Sequence, residues 1–107
     1  MTAKAMKRYE YKATVFKALS HPVRIIILEK LKDRNWCVCE LAKDIGVEKS
    51  LVSKHLSQLR EVGLIEDQKR GTCVEYRLAA PAVLEAVARA EEAFLANRRK
   101  QFEETQE

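Results

Sequence analysis

Apolar and polar residues alternate at helical spacing most clearly between Lys49 and Val62. The apolar side chains recur every three or four residues, which predicts a helix with one buried face. That face consists of Leu51, Val52, Leu56, Leu59 and Val62. The other positions carry mainly hydroxyl, amide and basic groups, and the first acid is Glu61. A helix with a polar, acid-poor face fits the major groove of DNA. We therefore predict DNA contacts from Lys49, Ser50, Ser53, Lys54, His55, Ser57, Gln58 and Arg60.

A shorter predicted helix, about 39–45, comes immediately before this one and ends at Gly46. Glycine is favoured just after helix C-termini because it adopts the left-handed conformation without strain. A helix, a short glycine-containing turn and a second helix have the spacing of a helix-turn-helix, here about 39–62.

Two further helices are predicted upstream, over residues 9–19 and 22–33. Ser20 is suited to cap the start of the second helix, and Pro22 fits its first turn because the missing N–H has no partner there in any case. The apolar positions that we expect to face inward are Tyr9, Val15, Phe16, Leu19, Val23, Ile26, Ile27 and Leu31.

Downstream of the helix-turn-helix, residues 64–69 and 73–78 predict a β-hairpin. Its second strand alternates apolar and polar residues, as in a half-buried strand. The turn is basic, and we expect Lys69, Arg70 and Thr72 to contact DNA. A final helix is predicted over about 81–98, with the charged tail fraying from Asn97. Its apolar stripe is predicted to be core or a dimer interface: Val83, Val87, Ala90 and Phe94.

Composition limits the possible functions. A chain of 107 residues allows one domain, here 1–107, and the net charge of +4 with a pI of about 9.1 fits a polyanionic partner. There is no signal peptide and no apolar run long enough to cross a membrane, so we expect a cytoplasmic protein without a membrane partner. The three glycines each lie in a predicted turn rather than in a phosphate-binding loop. We therefore expect the protein not to be an enzyme.

Three cysteines are the remaining chemical feature: Cys37, Cys39 and Cys73. In an extended chain, residues two apart point the same way with Cα atoms roughly 6.5–7 Å apart, so Cys37 and Cys39 can converge on one soft ion. On a regular helix they would lie about 200° apart, so this site needs a locally extended helix start. Cys73 falls on the outer face of its predicted strand and is a candidate third ligand. A small buried residue is the alternative role for it.

Four segments in this order resemble the ArsR/SmtB family of metal-sensing bacterial repressors along nearly the whole chain. They are Phe16–Arg24, Cys37–Leu41, Leu51–Leu59 and Val74–Leu78. The resemblance implies a mainly helical winged helix-turn-helix with a small β-hairpin and flanking N- and C-terminal helices. It also implies a homodimer that binds double-stranded DNA at an inverted-repeat operator and leaves it when an inducer binds.

The Cys-Val-Cys motif is similar to the sensor of the arsenic- and cadmium-type members. The arsenic type often has a third cysteine where this chain has Ala42, and the last helix lacks the histidines of the zinc and nickel types. The resemblance implies no permanently bound cofactor and an inducer such as As(III), Sb(III), Cd(II), Pb(II) or Zn(II), which soft thiolates favour. Two alternatives stay open: a thiol redox or persulfide sensor, and a DNA-binding module that senses no small ligand. For His55, a phosphate contact beside Leu56 and a direct base contact are both open.

Overall fold

The computed structural model describes residues 1–105. Within that range the chain forms five helices and three short strands. The elements are α1 (Ala3–Ala18), α2 (Pro22–Asp33), β1 (Trp36–Cys37), α3 (Val38–Ile45), α4 (Lys49–Glu61), β2 (Ile65–Arg70), β3 (Cys73–Leu78) and α5 (Ala82–Thr105). The predicted winged helix-turn-helix is confirmed: α3 and α4 form the helix-turn-helix, and β2 and β3 form the wing.

The core lies where α2, α3 and α4 meet the base of the wing. Its fully buried side chains are Ile27, Leu28, Leu41, Val52, Leu56, Leu59 and Ile65. Three of these lie on the predicted apolar face of α4, so that face is confirmed. Leu51 belongs to the same predicted face but is 40% exposed, because it lies at the edge of the apolar stripe.

The turn between α3 and α4 depends on Gly46, which ends α3 with φ +82°. An L side chain rarely adopts this left-handed conformation, so glycine is required here for conformational reasons. The turn lets α4 cross α3 with its apolar face inward and its polar face outward.

The start of α2 differs from the prediction. His21, not Ser20, is the N-cap, and its Nδ1 accepts a hydrogen bond from the backbone N–H of Val23 at 3.1 Å. The Ser20 hydroxyl instead donates to the carbonyl of Lys17 at 2.6 Å, at the end of α1. Pro22 occupies the first turn, as predicted.

Both terminal helices are longer than predicted. The first begins at Ala3, where the Thr2 hydroxyl accepts a hydrogen bond from the backbone N–H of Ala5 at 3.1 Å. The last continues to Thr105 rather than fraying from Asn97. Its charged end is rich in Arg, Lys, Glu and Gln, which have good helix propensity.

Several apolar residues predicted to face inward are exposed. On α1, Tyr9 is 55% exposed and Phe16 is 63% exposed, and on α2 Ile26 is 38% exposed. Leu19 and Ile27 are buried as predicted. The helical period identified the apolar residues correctly, but it cannot distinguish a face that packs within the chain from one left open.

The sheet is antiparallel with strand order β1–β3–β2. Trp36 pairs with Tyr76, and Cys37 pairs with Glu75. The side chains of Trp36 and Tyr76 pack against the core. Because neighbouring residues on a strand point to opposite faces, Cys37 and Glu75 lie on the outer face.

No helix among residues 1–105 is both long enough and apolar enough to span a membrane.

Candidate nucleic-acid interface and thiol site

The exposed face of α4 carries most of the predicted DNA contacts. Since Val52, Leu56 and Leu59 are fully buried, the opposite side of the helix is turned outward. The exposed members of the predicted set are Lys49, Ser50, Ser53, Lys54, Ser57 and Arg60. Short hydroxyl side chains between basic ones allow the helix backbone to approach a base edge while the cations reach phosphates.

His55 departs from this set because its side chain is only 4% exposed. Its Nδ1 accepts a hydrogen bond from the Arg24 Nε at 3.0 Å, and its ring centroid lies 4.3 Å from that of His21. The buried Nε2 has no hydrogen-bond partner. We therefore correct the prediction: His55 fixes the position of α4 from inside, and its ring is not presented to DNA.

The Arg24 guanidinium extends this contact to α1, where it donates to the carbonyl of Ala18 at 3.2 Å. One arginine thus joins the C-terminal end of α1, the start of α2 and the middle of α4. Burial, together with the charges of His21, Arg24 and Lys54, lowers the pKa of His55. The neutral imidazole is therefore the form that this contact favours.

Gln58 is half-buried rather than fully presented on the α4 surface. It borders a cavity of about 430 Å³ between α1, α2 and α4, which is also lined by Tyr11, Arg24 and Glu61. Its Oε1 is buried without a hydrogen-bond partner. The prediction that Gln58 contacts a base therefore requires its side chain to turn outward.

The wing presents the three predicted contacts, Lys69, Arg70 and Thr72, all exposed. Arg70 forms an ion pair with Glu75 at 3.1 Å. On α4, Arg60 forms a similar pair with Asp67 of the wing at 2.9 Å. Exposed ion pairs of this kind contribute little free energy in water. A DNA phosphate can therefore replace either carboxylate with little loss of free energy.

The three cysteines are free thiols on three elements, β1, α3 and β3. Cys37 is half-buried at the end of β1, whereas Cys39 is exposed in the first turn of α3. Cys73 is exposed at the first position of β3. Because α3 begins at Val38, one residue earlier than predicted, Cys37 and Cys39 do not lie on one extended segment.

The thiols do not form a preassembled three-ligand site. Among residues 1–105, no group of three or more Cys, His, Asp or Glu side chains is close enough together to hold a metal ion.

Cys37 is the N-cap of α3. The Glu40 carboxylate accepts a hydrogen bond from the Cys37 backbone N–H at 3.0 Å, and the Cys37 sulfur faces the Glu40 backbone N–H. This is a capping box with a thiol in place of the usual hydroxyl. Glu40, three residues after the cap, positions the candidate ligand Cys37, a role that the sequence analysis did not assign to it. The sequence signal for this role is an acid three positions after the cap residue.

The cap affects the chemistry of the thiol. The Glu40 backbone N–H acts to lower the pKa of Cys37, but burial, the Glu40 carboxylate and Cys39 together outweigh it and raise the pKa. The same arrangement, with Arg34 at 3.3 Å, lowers the pKa of Glu40. At neutral pH the Cys37 thiol therefore stays protonated, and a thiophilic ion must displace that proton.

The predicted dimer residues divide into two groups. Val83 is 8% exposed and belongs to the core of this chain, and Val87 packs partly against it. Ala90 and Phe94 are exposed, Phe94 by 59%. Exposed aromatic residues on α1 add to this unpaired apolar surface.

Comparisons with known proteins agree with this architecture. A family model described as bacterial regulatory protein, arsR family, matches residues 21–67. The chain is 42% identical over 81 residues to the uncharacterized HTH-type transcriptional regulator Rv0081 of Mycobacterium tuberculosis, covering 75% of this chain and 71% of that protein. The crystal structure of that relative has a TM-score of 0.75 at 37% identity, covering 88% of this chain and 95% of the other.

Two further relatives bear on function. The arsenic resistance transcriptional regulator ArsR1 of Pseudomonas putida is 38% identical over 65 residues, covering 60% of this chain and 51% of that protein. A solution structure of the homodimeric winged helix-turn-helix DNA-binding domain of Mb0332 from Mycobacterium bovis has a TM-score of 0.78 at 25% identity. It covers 91% of this chain and 93% of the other.

Proposed function

Since this chain belongs to the arsR family of bacterial regulatory proteins, we propose that it is a homodimeric transcriptional repressor controlled by a thiophilic ion. In this proposal the dimer binds an inverted-repeat operator and releases it when As(III), Sb(III), Cd(II), Pb(II) or Zn(II) binds Cys37 and Cys39. Membership of the family supports a role in regulating transcription. The assignment of the ion and of its ligands is supported by the residues of this chain.

The exposed face of α4 is the observation that supports DNA binding most strongly. Its outward residues from Lys49 to Arg60 are hydroxyl or basic except at the edge of the stripe, and no acid interrupts them. The wing tip adds Lys69 and Arg70. In a two-fold dimer, two such helices would enter successive major grooves, and the wing cations would neutralise nearby phosphates.

The unpaired apolar surfaces of α1 and α5 support a dimer. Tyr9 and Phe16 on α1, and Phe94 and Leu95 on α5, are each more than half exposed. A second copy that covers these residues would remove their apolar surface from water. The homodimeric Mb0332 domain has the same fold, which supports this mode of assembly here.

The chemistry of the two thiols supports sensing of a soft ion. Thiolates favour As(III), Cd(II) and similar ions over hard cations such as Mg²⁺. When bound, the ion would supply a covalent or coordinate link between Cys37 and Cys39. Drawing the Cys37 sulfur away from its capping position would weaken the start of α3, which packs directly against α4.

A redox or persulfide sensor is the second candidate. It is favoured by the exposure of Cys39 and Cys73, since accessible thiols can oxidise reversibly. A direct Cys37–Cys39 disulfide is disfavoured because cysteines so close in sequence strain the disulfide geometry.

Ion binding can be tested by titrating the reduced protein with Cd(II) and recording the thiolate-to-metal absorbance. We expect the absorbance to saturate at one ion per subunit in the parent and to fall in Cys37→Ser and Cys39→Ser. Ser57→Ala, which alters α4 without removing a thiol, is the control. If both cysteine variants bind Cd(II) like the parent, the proposed sensor is wrong. A response of the parent only to peroxide or polysulfide would favour the redox candidate.

A further inference from the structure

We propose that β1 can extend by two residues, from Cys37 to Cys39, and that this extension assembles Cys37, Cys39 and Cys73 into one three-thiol site for As(III) or Sb(III). The inference rests on the proposed function. It adds a third ligand from the wing and the conformational change that recruits it.

The register of the sheet determines which residues of β3 a longer β1 would meet. Trp36 pairs with Tyr76 and Cys37 with Glu75. Continuing the antiparallel ladder in the same register puts Val38 opposite Val74 and then Cys39 opposite Cys73. The chain leaves the sheet just before these two pairs, because α3 begins at Val38.

The edge of β3 needed for the extension is open. On one side β3 pairs with β2 along its whole length, from Leu78 to Cys73. On the other side, within residues 1–105, the pairs with β1 stop at Glu75. The backbone of Val74 and Cys73 therefore offers an unpaired strand edge that another extended segment can join.

In the extended ladder, apolar side chains would meet on the side of the sheet that faces the core. Val38 would lie on the same side as Trp36, and it would meet Val74, which shares the side of Tyr76. Val74 is 38% exposed, so this pair would cover an apolar side chain that is now open to water. Pairs of β-branched residues across two strands stabilise a sheet.

The cysteines would all lie on the opposite, outer face. In the extended strand the Cα atoms of Cys37 and Cys39 would be roughly 6.5–7 Å apart. Cys73 would lie about 4.5–5.5 Å from Cys39 and about 7–8 Å diagonally from Cys37. Since a thiolate sulfur lies about 2.3 Å from a bound ion such as zinc, three side chains on this triangle can converge on one centre. Cys39 and Cys73 are already exposed, so an ion can reach them.

Only the first turn of α3 has to unwind. That turn is held by the thiol capping box of Cys37 and Glu40, with a hydrogen bond of 3.0 Å. Leu41 and Ala42 are buried and anchor the rest of the helix in the core. Because Ala42 is buried and has no ligand atom, α3 itself cannot supply a third thiol, whereas the wing can.

Binding of arsenite to the three thiols requires no oxidation or reduction. Arsenous acid, As(OH)₃, would exchange its three As–O bonds for three As–S bonds. Each hydroxide would leave with the proton of one thiol as water, and arsenic would remain trivalent.

Such a site would join the wing directly to the helix-turn-helix. Cys73 lies immediately after the wing tip and pairs with Arg70 across the hairpin. An ion held by Cys37, Cys39 and Cys73 would therefore act on the first turn of α3 and on the basic tip at the same time. The helix α3 packs directly against α4, and the tip is part of the proposed DNA-binding surface.

Two arsenicals that differ in the number of thiols they can bind provide the test. Arsenite can bind three thiols and phenylarsine oxide can bind two. We expect Cys73→Ser to weaken arsenite binding by roughly tenfold or more, since it loses one ligand, and to leave phenylarsine oxide binding unchanged. Thr72→Ser, at the neighbouring wing position, should change neither. Thiol counting with Ellman's reagent should show every cysteine protected by arsenite in the parent.

The outcomes separate this inference from the proposed function. If Cys73→Ser binds arsenite like the parent, while Cys37→Ser and Cys39→Ser lose binding, the three-thiol site is wrong and the two-thiol sensor stands. If none of the three substitutions changes arsenite binding, both fail.

The extension of β1 can be measured separately from arsenite affinity. Proton NMR of the arsenite-bound protein should show close contacts across the ladder between Val38 and Val74, and between Cys39 and Cys73. These contacts should be absent without arsenite. Helical contacts that persist at Val38 and Cys39 in the bound form would overturn the extension.

Discussion

The His55 imidazole joins parts of the molecule that lie far apart in sequence. It accepts a hydrogen bond from Arg24, which in turn donates to the carbonyl of Ala18. A polar residue between apolar positions of an amphipathic helix would ordinarily face water. Here the position lies on the inner side of α4, and burial is tolerated because Arg24 supplies the hydrogen bond.

The lowered pKa of His55 predicts a loss of stability on acidification. The unfolded chain binds a proton near the ordinary histidine pKa of about 6.5, whereas the folded chain resists protonation until a lower pH. The free energy of unfolding should therefore fall as pH decreases below about 6.5. Urea unfolding at pH 7.5 and pH 5.5 measures this change.

His55→Asn provides the comparison, because its amide oxygen can still accept from Arg24 but does not titrate in this range. The variant should be less stable than the parent at pH 7.5 and should lose less stability on going to pH 5.5. An identical loss in both proteins would show that His55 is not the group responsible.

Sequence periodicity could not have located this contact. The spacing of Leu51, Val52, Leu56 and Leu59 predicts the orientation of α4 to within about one position. At about 100° per residue His55 falls between Leu51 and Leu59, inside that stripe, so the period places it on the inner side of α4. Only the packing of α2 against α4 supplies its partner, Arg24. By contrast, the Cys37–Glu40 capping box was visible in the sequence as a cap residue followed three positions later by an acid.

The candidate DNA-binding surface of α4 and the wing carries ion-paired cations and free hydroxyl groups. Arg60 is paired with Asp67 and Arg70 with Glu75, whereas the hydroxyl groups of Ser50, Ser53 and Ser57 lie exposed on α4. Basic side chains would supply affinity that depends on salt, and short polar side chains would supply preference among sequences.

Arg70→Ala should weaken binding to every DNA sequence by a similar factor. The loss of one phosphate contact should flatten the slope of log affinity against log salt by roughly one unit. Fluorescence anisotropy with specific and unrelated duplexes at several salt concentrations measures both effects. Arg89→Ala removes the same charge from α5 and should leave the slope unchanged; equal slopes in parent and Arg70→Ala would place the wing tip away from DNA.

Ser53→Ala should instead change preference among operators. A lost base contact costs about 1–3 kcal/mol of discrimination at the affected base pair and leaves the salt slope nearly intact. A panel of operator duplexes with single base-pair changes measures the effect. Uniform weakening across the panel would mean that Ser53 meets only phosphate or sugar.

Helix ends were the part of the elements least accessible from sequence. The charged segment after Asn97 lacks an apolar stripe, and its helix continues by propensity rather than by packing. The start of α3 at Val38 depends on the capping box and on the pairing of β1 with β3, two interactions that local periodicity does not report.

At the scale of the whole molecule, one chain alone is too extended for a compact domain. Its radius of gyration is 17.2 Å, whereas about 13 Å is expected for a compact chain of this length. The principal extents of 61 × 42 × 22 Å fit terminal helices that project from the core. The aromatic residues exposed on α1 and α5 explain why the helical period predicted buried positions that one chain does not bury.

Phe94→Asp should convert the proposed dimer into monomers, because a charge would be buried at the centre of the α5 surface. Light scattering at micromolar concentration measures the mass directly. Ala96→Asp adds the same side chain on the other side of α5 and should remain dimeric. A parent protein that is already monomeric at this concentration would contradict the proposed assembly.

The most direct test of the central claim is release of DNA by the inducer. Fluorescence anisotropy of a duplex from the promoter of the protein's own gene can be followed while arsenite is added to the reduced protein–DNA complex. We predict that anisotropy falls to that of free DNA for the parent, whereas the Cys37→Ser/Cys39→Ser double variant stays bound throughout. Release of the double variant at the same arsenite concentration as the parent would contradict the account.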